Sequence, residues 1–135
     1  MARIFTSAVR VVTASIAAAG FVLAAQAAQA AQAGNAKNGE GVFMDNCGVC
    51  HTAAKGAAAK IGPNLFGVVG RKSATMAGYM YSPAMMKANL TWDVATLQVY
   101  LMGPQKKVPG TKMGFPGFSD PMDEADVIAY LVTLK

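Results

Sequence analysis

Hydrophobic positions recur with helical spacing in a few short stretches of this chain, and long loops rich in glycine and proline separate those stretches. No segment alternates convincingly between apolar and polar residues, so the pattern predicts an all-α fold. A first helix is expected from Asn35 to about Asn46, with Ala36, Gly39 and Phe43 on one face at i, i+3, i+7 spacing. Ser82 before Pro83 reads as an N-cap followed by proline at the first helical position, opening a short helix over "SPAMMKAN". Asp93 caps the next helix, "VATLQVYLM", in which Val94, Leu97 and Leu101 share a face and which ends at Gly103–Pro104. Residues 103–120 hold three prolines and four glycines in 18 positions, and neither helix nor strand is expected there. Asp120–Pro121 starts the last helix. Its apolar stripe is Val127, Tyr130, Leu131 and Leu134, and acids occupy its first turns, where the helix dipole favours them.

Two features resist an ordinary small bundle. Gly39 lies inside the first helix at a cost of about 1 kcal/mol relative to alanine, which a close helix crossing would justify. The loops also exceed the ~12–15 residues beyond which a connection is usually functional or disordered. Something other than protein is expected to fill the middle.

Residues 1–33 read separately. Arg3 and Arg10 lie in an N-terminal stretch without acids, and an uncharged apolar run of 15 residues spans 11–25. Sites of A-x-A type then follow at Ala25–Ala27, Ala28–Ala30 and Ala31–Ala33. This order makes a cleavable secretory signal peptide over 1–33, leaving a domain over 34–135. The run is short of the ~20 residues a membrane anchor needs, so no stable membrane insertion is expected after cleavage, and the compartment implied is the periplasm.

Loss of Arg3 and Arg10 lowers the formal net charge from +5 to +3. That is too little to suggest nucleic acid, and no basic stretch is interleaved with aromatics. It allows a mild preference for acidic protein surfaces. Export also places the two cysteines where a plain pair would form a disulfide.

Both cysteines and the only histidine stand in "CGVCH", Cys47 to His51. C-x-x-C-H is the attachment signature of c-type haem: two thiols at this spacing add to two vinyl groups, and the next residue supplies the proximal imidazole. Thioether formation uses up both cysteines and retains the cofactor in a small exported protein. A thioredoxin-like dithiol belongs near a βαβ pattern, which is absent. Zinc usually takes four ligands, and the chain has three Cys and His together. A structural disulfide leaves the histidine unexplained.

With one histidine, bis-His ligation within the chain is excluded. Eight methionines remain after Met1, most of them as easily core filler. Met113 differs by lying in the Gly/Pro loop, where backbone can wrap a cofactor, and a thioether opposite histidine raises the haem potential.

From Gly34 to Lys135 the chain resembles a class I cytochrome c of the mitochondrial and bacterial c2 type. "CGVCH", "GPNLFGVVGR", "YSPA", "LTW", "TLQVYL", "PGTKM" and "ADVIAYL" fall in that family's order and spacing, with "PGTKM" ending 62 residues after His51 (113 − 51). The resemblance implies helices and loops wrapped around one covalent haem c, with terminal helices crossing. It implies Met113 as the distal axial ligand opposite His51, and the Pro63 carbonyl as the histidine's hydrogen-bond acceptor. It places Tyr81, Trp92 and Arg71 around a buried propionate, adds Thr111 as a further propionate contact, and sets the Tyr100 hydroxyl near the methionine sulfur. It sets Gly39, Phe43, Val127 and Tyr130 at the crossing of the terminal helices. There are departures: Met85 stands where many relatives have asparagine, Ala59 replaces a loop histidine, and Asn46, Gln105 and Ser119 occupy positions where lysine is common.

The function expected is a soluble, monomeric one-electron carrier rather than an enzyme. It would link a membrane complex or dehydrogenase to an oxidase, reductase or photosynthetic reaction centre, by docking on acidic surfaces. Lys106, Lys107 and Lys112 are expected to rim its exposed haem edge, away from Asp120, Asp123, Glu124 and Asp126. An electron-transfer subunit of a larger periplasmic dehydrogenase would carry a similar signature. An open-site haem enzyme or gas sensor would need distal acid–base groups, and no second histidine exists to serve.

Overall fold

A computed structural model describes residues 33–135. The leader expected over 1–33 lies outside the described residues apart from Ala33. Among the described residues five helices form: α1 (Ala36–Asn46), α2 (Pro83–Ala88), α3 (Val94–Met102), α4 (Pro104–Lys107) and α5 (Pro121–Thr133). The only β pairing among the described residues is an isolated bridge between Lys72 and Thr91.

Local chemistry sets the helix starts. Asn35 precedes α1 and caps it, its side-chain oxygen accepting from the Lys37 and Asn38 amides. The Ser82 hydroxyl accepts the Met85 amide at 3.0 Å, and the Asp93 carboxylate accepts the Thr96 amide at 2.7 Å. Asp120 does the same for Met122 at 2.8 Å, with Pro121 opening α5. Each cap satisfies a donor that the first helical turn leaves without a partner.

α1 packs across α5. A Cβ at Gly39 would run into the backbone carbonyl of Asp126, so glycine lets the two backbones meet there. The Asn35 amide donates to the Asp126 carboxylate at 2.6 Å, and the Phe43 ring lies 5.4 Å from that of Tyr130. Val127, Ile128 and Leu131 are buried beneath this crossing.

Four local expectations change. α4 is a helical turn inside the Gly/Pro segment, closed by the Val108 amide on the Pro104 carbonyl at 2.8 Å. Proline at the first position is preset for helix and lacks only an amide that had no partner. Val94, at the start of α3, is 43% exposed while Leu97 and Leu101 are buried. In α5, Ile128 joins the core, whereas Tyr130 is half-buried and Leu134 lies past the last helical residue. Glu124 and Asp126 are buried, which leaves Asp120 and Asp123 as the surface acids of that helix.

Candidate haem site

Cys47 caps the C-terminus of α1, and the chain turns tightly after it. The Cys50 and His51 amides both donate to the Cys47 carbonyl, at 3.0 and 2.8 Å. Both thiols are free. Burial, with the neighbouring Cys50 adding to it, pushes the Cys47 thiol up to about 11, so it is a neutral thiol at pH 7.

The His51 Nδ1 lies 2.7 Å from the Pro63 carbonyl oxygen. A carbonyl only accepts, so Nδ1 carries the proton and Nε2 keeps a free lone pair. Burial lowers the histidine's pKa and the Pro63 bond offsets part of that, which favours the neutral imidazole a metal requires. Gly62 lies flat against this ring. A Cβ there would fall on the imidazole, and its amide is held by the Cys50 carbonyl at 2.8 Å.

The opposite side is built by the loop after α4. The Thr111 hydroxyl accepts the Met113 amide at 3.3 Å and pairs with the Tyr100 hydroxyl at 3.3 Å. Gln105 donates to the carbonyls of Thr111 (2.9 Å) and Met113 (3.3 Å).

Between these segments lies a cavity of about 520 Å³, within the ~300–1,000 Å³ common for cofactor pockets. Cys47, Cys50, His51, Pro63, Tyr81, Trp92, Tyr100, Thr111 and Met113 all line it. Arg71 is not among the lining residues: its guanidinium donates to the carbonyls of Asn64 (3.0 Å) and Phe66 (3.2 Å). A guanidinium pointed at two carbonyls behaves as a strut for the loop. The Tyr100 hydroxyl has Thr111 as its partner.

The lining fits a haem. Two thiols, an imidazole with a free Nε2 and a thioether are groups that could attach and ligate it, and Leu97, Leu101, Val127 and Leu131 supply an apolar wall. The rival readings find less. Among the described residues no three His, Cys, Asp or Glu side chains group as a metal site would need, and no strand accompanies the dithiol.

Sequence reasoning missed several contributors. Leu97 and Leu101 were legible only as helix core. Met85 stands out in the sequence only as a departure from the family, and in the structure it is a buried wall residue. Asn64 and Gly62 gave no individual cue, because their partners lie in other loops.

The fold and cavity define a class I c-type cytochrome. The cytochrome c family model matches residues 36–135. The chain is 52% identical to cytochrome c of Cannabis sativa over 95 residues, 70% of this chain and 86% of that protein. It is likewise 52% identical to cytochrome c2 of Rhodopila globiformis over 97 residues, covering 72% and 91%. Among solved structures it resembles cytochrome cH from Methylobacterium extorquens, with a TM-score of 0.68 and 50% identity, covering 74% of this chain and 99% of that one. The chain belongs to the cytochrome c family: it is an electron carrier whose cofactor is covalently bound haem c.

Proposed function

We propose that Cys47 and Cys50 form the two thioethers, that His51 and Met113 are the axial ligands, and that the protein shuttles single electrons in the periplasm between larger redox complexes. One observation carries this reading: both thiols, the free Nε2 of His51 and Met113 line the same apolar cavity. Bound haem supplies reversible Fe(III)/Fe(II) chemistry. The chain's own residues do the rest. Pro63 fixes the imidazole tautomer, Thr111 and Gln105 hold the methionine loop, and the leucine and valine wall excludes water. A rigid, dry surround keeps the reorganisation that accompanies electron transfer small. Tyr81, Trp92 and Thr111 are polar wall groups suited to the propionates, since a carboxylate in a poorly solvated site needs donors. Arg71 supports that region through the Asn64 and Phe66 carbonyls.

Export rests on the leader pattern of residues 1–33. No described helix is long and apolar enough to cross a membrane. Docking rests on charge. Lys112 lines the cavity, and Lys106 and Lys107 are exposed on α4, the turn that leads into the methionine loop. They suit a partner with an acidic surface.

The protein purified after export should resist haem extraction into acidified acetone and titrate as a reversible one-electron couple. Extractable haem or an intact Cys47–Cys50 disulfide would overturn the attachment. The bimolecular rate with membrane complexes should fall as salt rises, with Lys107→Glu and Lys112→Glu slower than Lys135→Glu. A flat salt profile would place docking on apolar contacts.

A further inference from the structure

The peptide unit joining Pro63 to Asn64 is engaged at both ends. Its carbonyl accepts the His51 Nδ1 proton at 2.7 Å, and its amide N–H donates to the Met76 sulfur at 3.1 Å. A peptide unit is planar, and here it is trans, so C=O and N–H point in opposite directions and rotate together. Whatever holds the amide end therefore aims the carbonyl end.

The rest of Asn64 is tied down independently. Its side-chain amide donates to the carbonyls of Ala54 (2.8 Å) and Ala57 (2.7 Å), and its side-chain oxygen accepts the Phe66 amide at 2.7 Å. These bonds locate the residue but leave the preceding peptide plane free to tilt. The Met76 sulfur is the acceptor that removes that freedom. Methionine sulfur is a weak acceptor, and it suffices here because Asn64 is buried and water does not compete. Met76 is itself fixed, since its amide donates to the hydroxyl of Tyr81, a cavity-wall residue, at 3.4 Å.

We propose that Met76 is a positioning residue for His51, its thioether anchoring the Pro63–Asn64 peptide plane so that the carbonyl stays aimed at Nδ1. The inference rests on His51 being the proximal ligand. A strong bond at Nδ1 makes the imidazole a better donor and favours the ferric state, so this anchor lowers the reduction potential.

The test uses the holoprotein and two variants. Met76→Leu keeps an apolar side chain of similar volume and removes the acceptor; Met76→Gln restores an acceptor oxygen at similar reach. In Met76→Leu the Asn64 amide should exchange with solvent at least tenfold faster and the reduction potential should rise. Met76→Gln should return both toward wild type. Unchanged exchange and potential in Met76→Leu would overturn the proposal, as would equal potential shifts in both variants, which packing alone would produce. Hyperfine-shifted His51 ring protons in the wild type test the ligand assignment separately. Their absence overturns that assignment. Their presence, with an unmoved potential in Met76→Leu, overturns the positioning role alone.

Discussion

The two sides of the cavity are built to different standards. Around His51 the chain closes on itself with short bonds: Nδ1 to Pro63 at 2.7 Å, the Gly62 amide to Cys50 at 2.8 Å, Lys60 to the Gly48 carbonyl at 2.7 Å and the Leu65 amide to Thr52 at 2.8 Å. Around Met113 most bonds are longer and rest on side chains, Gln105 to the Thr111 carbonyl at 2.9 Å being the exception. The Met113 amide reaches Thr111 at 3.3 Å, Gln105 reaches the Met113 carbonyl at 3.3 Å, and Lys112 reaches the Met80 carbonyl at 3.2 Å. Hydrogen bonds weaken with length and with access to water. The histidine side is thus set by the protein, while the methionine loop would depend on the proposed ligation for part of its order. Small ligands and partial unfolding should enter from the methionine side.

The largest test of this contrast truncates each proposed ligand. His51→Ala should give almost no mature holoprotein, measured as pyridine haemochrome per unit of polypeptide. Met113→Ala should still yield folded holoprotein, without the red sulfur-to-iron band of the ferric state and with a lowered potential. Its affinity for added imidazole should rise at least tenfold, roughly 1.4 kcal/mol. Comparable loss of holoprotein in both variants would erase the asymmetry.

A matched pair of glycines comes next. At Gly62 a Cβ would meet the His51 ring, whereas at Gly114 it would meet nothing within 4 Å. Gly62→Ala should cost about 1–3 kcal/mol by overpacking, while Gly114→Ala should stay within about 0.5 kcal/mol. Denaturant melts of the two holoproteins make the comparison.

A smaller effect is expected from Gln105→Ala. Loss of its bonds to Thr111 and Met113 should cost about 0.5–1.5 kcal/mol, seen as severalfold tighter imidazole binding to the ferric protein. Amide exchange at Gly62 and Asn64 should not change, because those bonds lie on the other side.

The smallest touches the helical frame shared by both sides. Burial raises the Glu124 carboxyl pKa, and one of its oxygens has no hydrogen-bond partner. A folded-state pKa above the unfolded one means the native state holds the proton more tightly. Stability therefore falls as pH rises from the ordinary glutamate range through the raised value. Glu124→Gln should be the more stable protein at pH 7, by under about 1 kcal/mol, since only one of the two carboxylate oxygens is cut off from any partner. The two should converge below about pH 4. Both sides of the cavity should keep their exchange rates; a change on one side alone would show that α5 is not a neutral frame.

Much of this arrangement is written in short-range sequence. The caps at Ser82 and Asp93, and the helix start at Asp120–Pro121, are legible because a side chain and an amide two or three residues on interact whatever surrounds them. The C-x-x-C-H motif is legible for the same reason: its spacing carries chemistry within five residues. Gly39 showed its purpose as an anomaly, a poor helix former that only a close crossing justifies. The helical turn at Pro104 is hidden by the density of prolines around it, because a proline is compatible with helix only at the first position it holds here. Val94 shares the helical period of Leu97 and Leu101, yet at the start of α3 it is left toward solvent, because periodicity defines a face and not how far the neighbours cover it.

Tertiary structure alone decided the pairings between distant loops. The Asn64 amide meets the Met76 sulfur, Lys112 meets the Met80 carbonyl, and Asp126 receives the Asn35 amide. None has a local cue, since each partner is an ordinary group that becomes specific only when chain closure brings it within 3.3 Å. The same closure turned Glu124 and Asp126 from expected surface acids into buried groups. Sequence by itself determined the cofactor chemistry and the starts of the four helices other than α4, and it points to the methionine loop as the proposed place for a second ligand, because those depend on residue type and short spacing. How firmly His51 is held depends on Pro63, 12 residues away, and the helical frame on a bond across 91 residues of chain, and both exist only once the fold has closed.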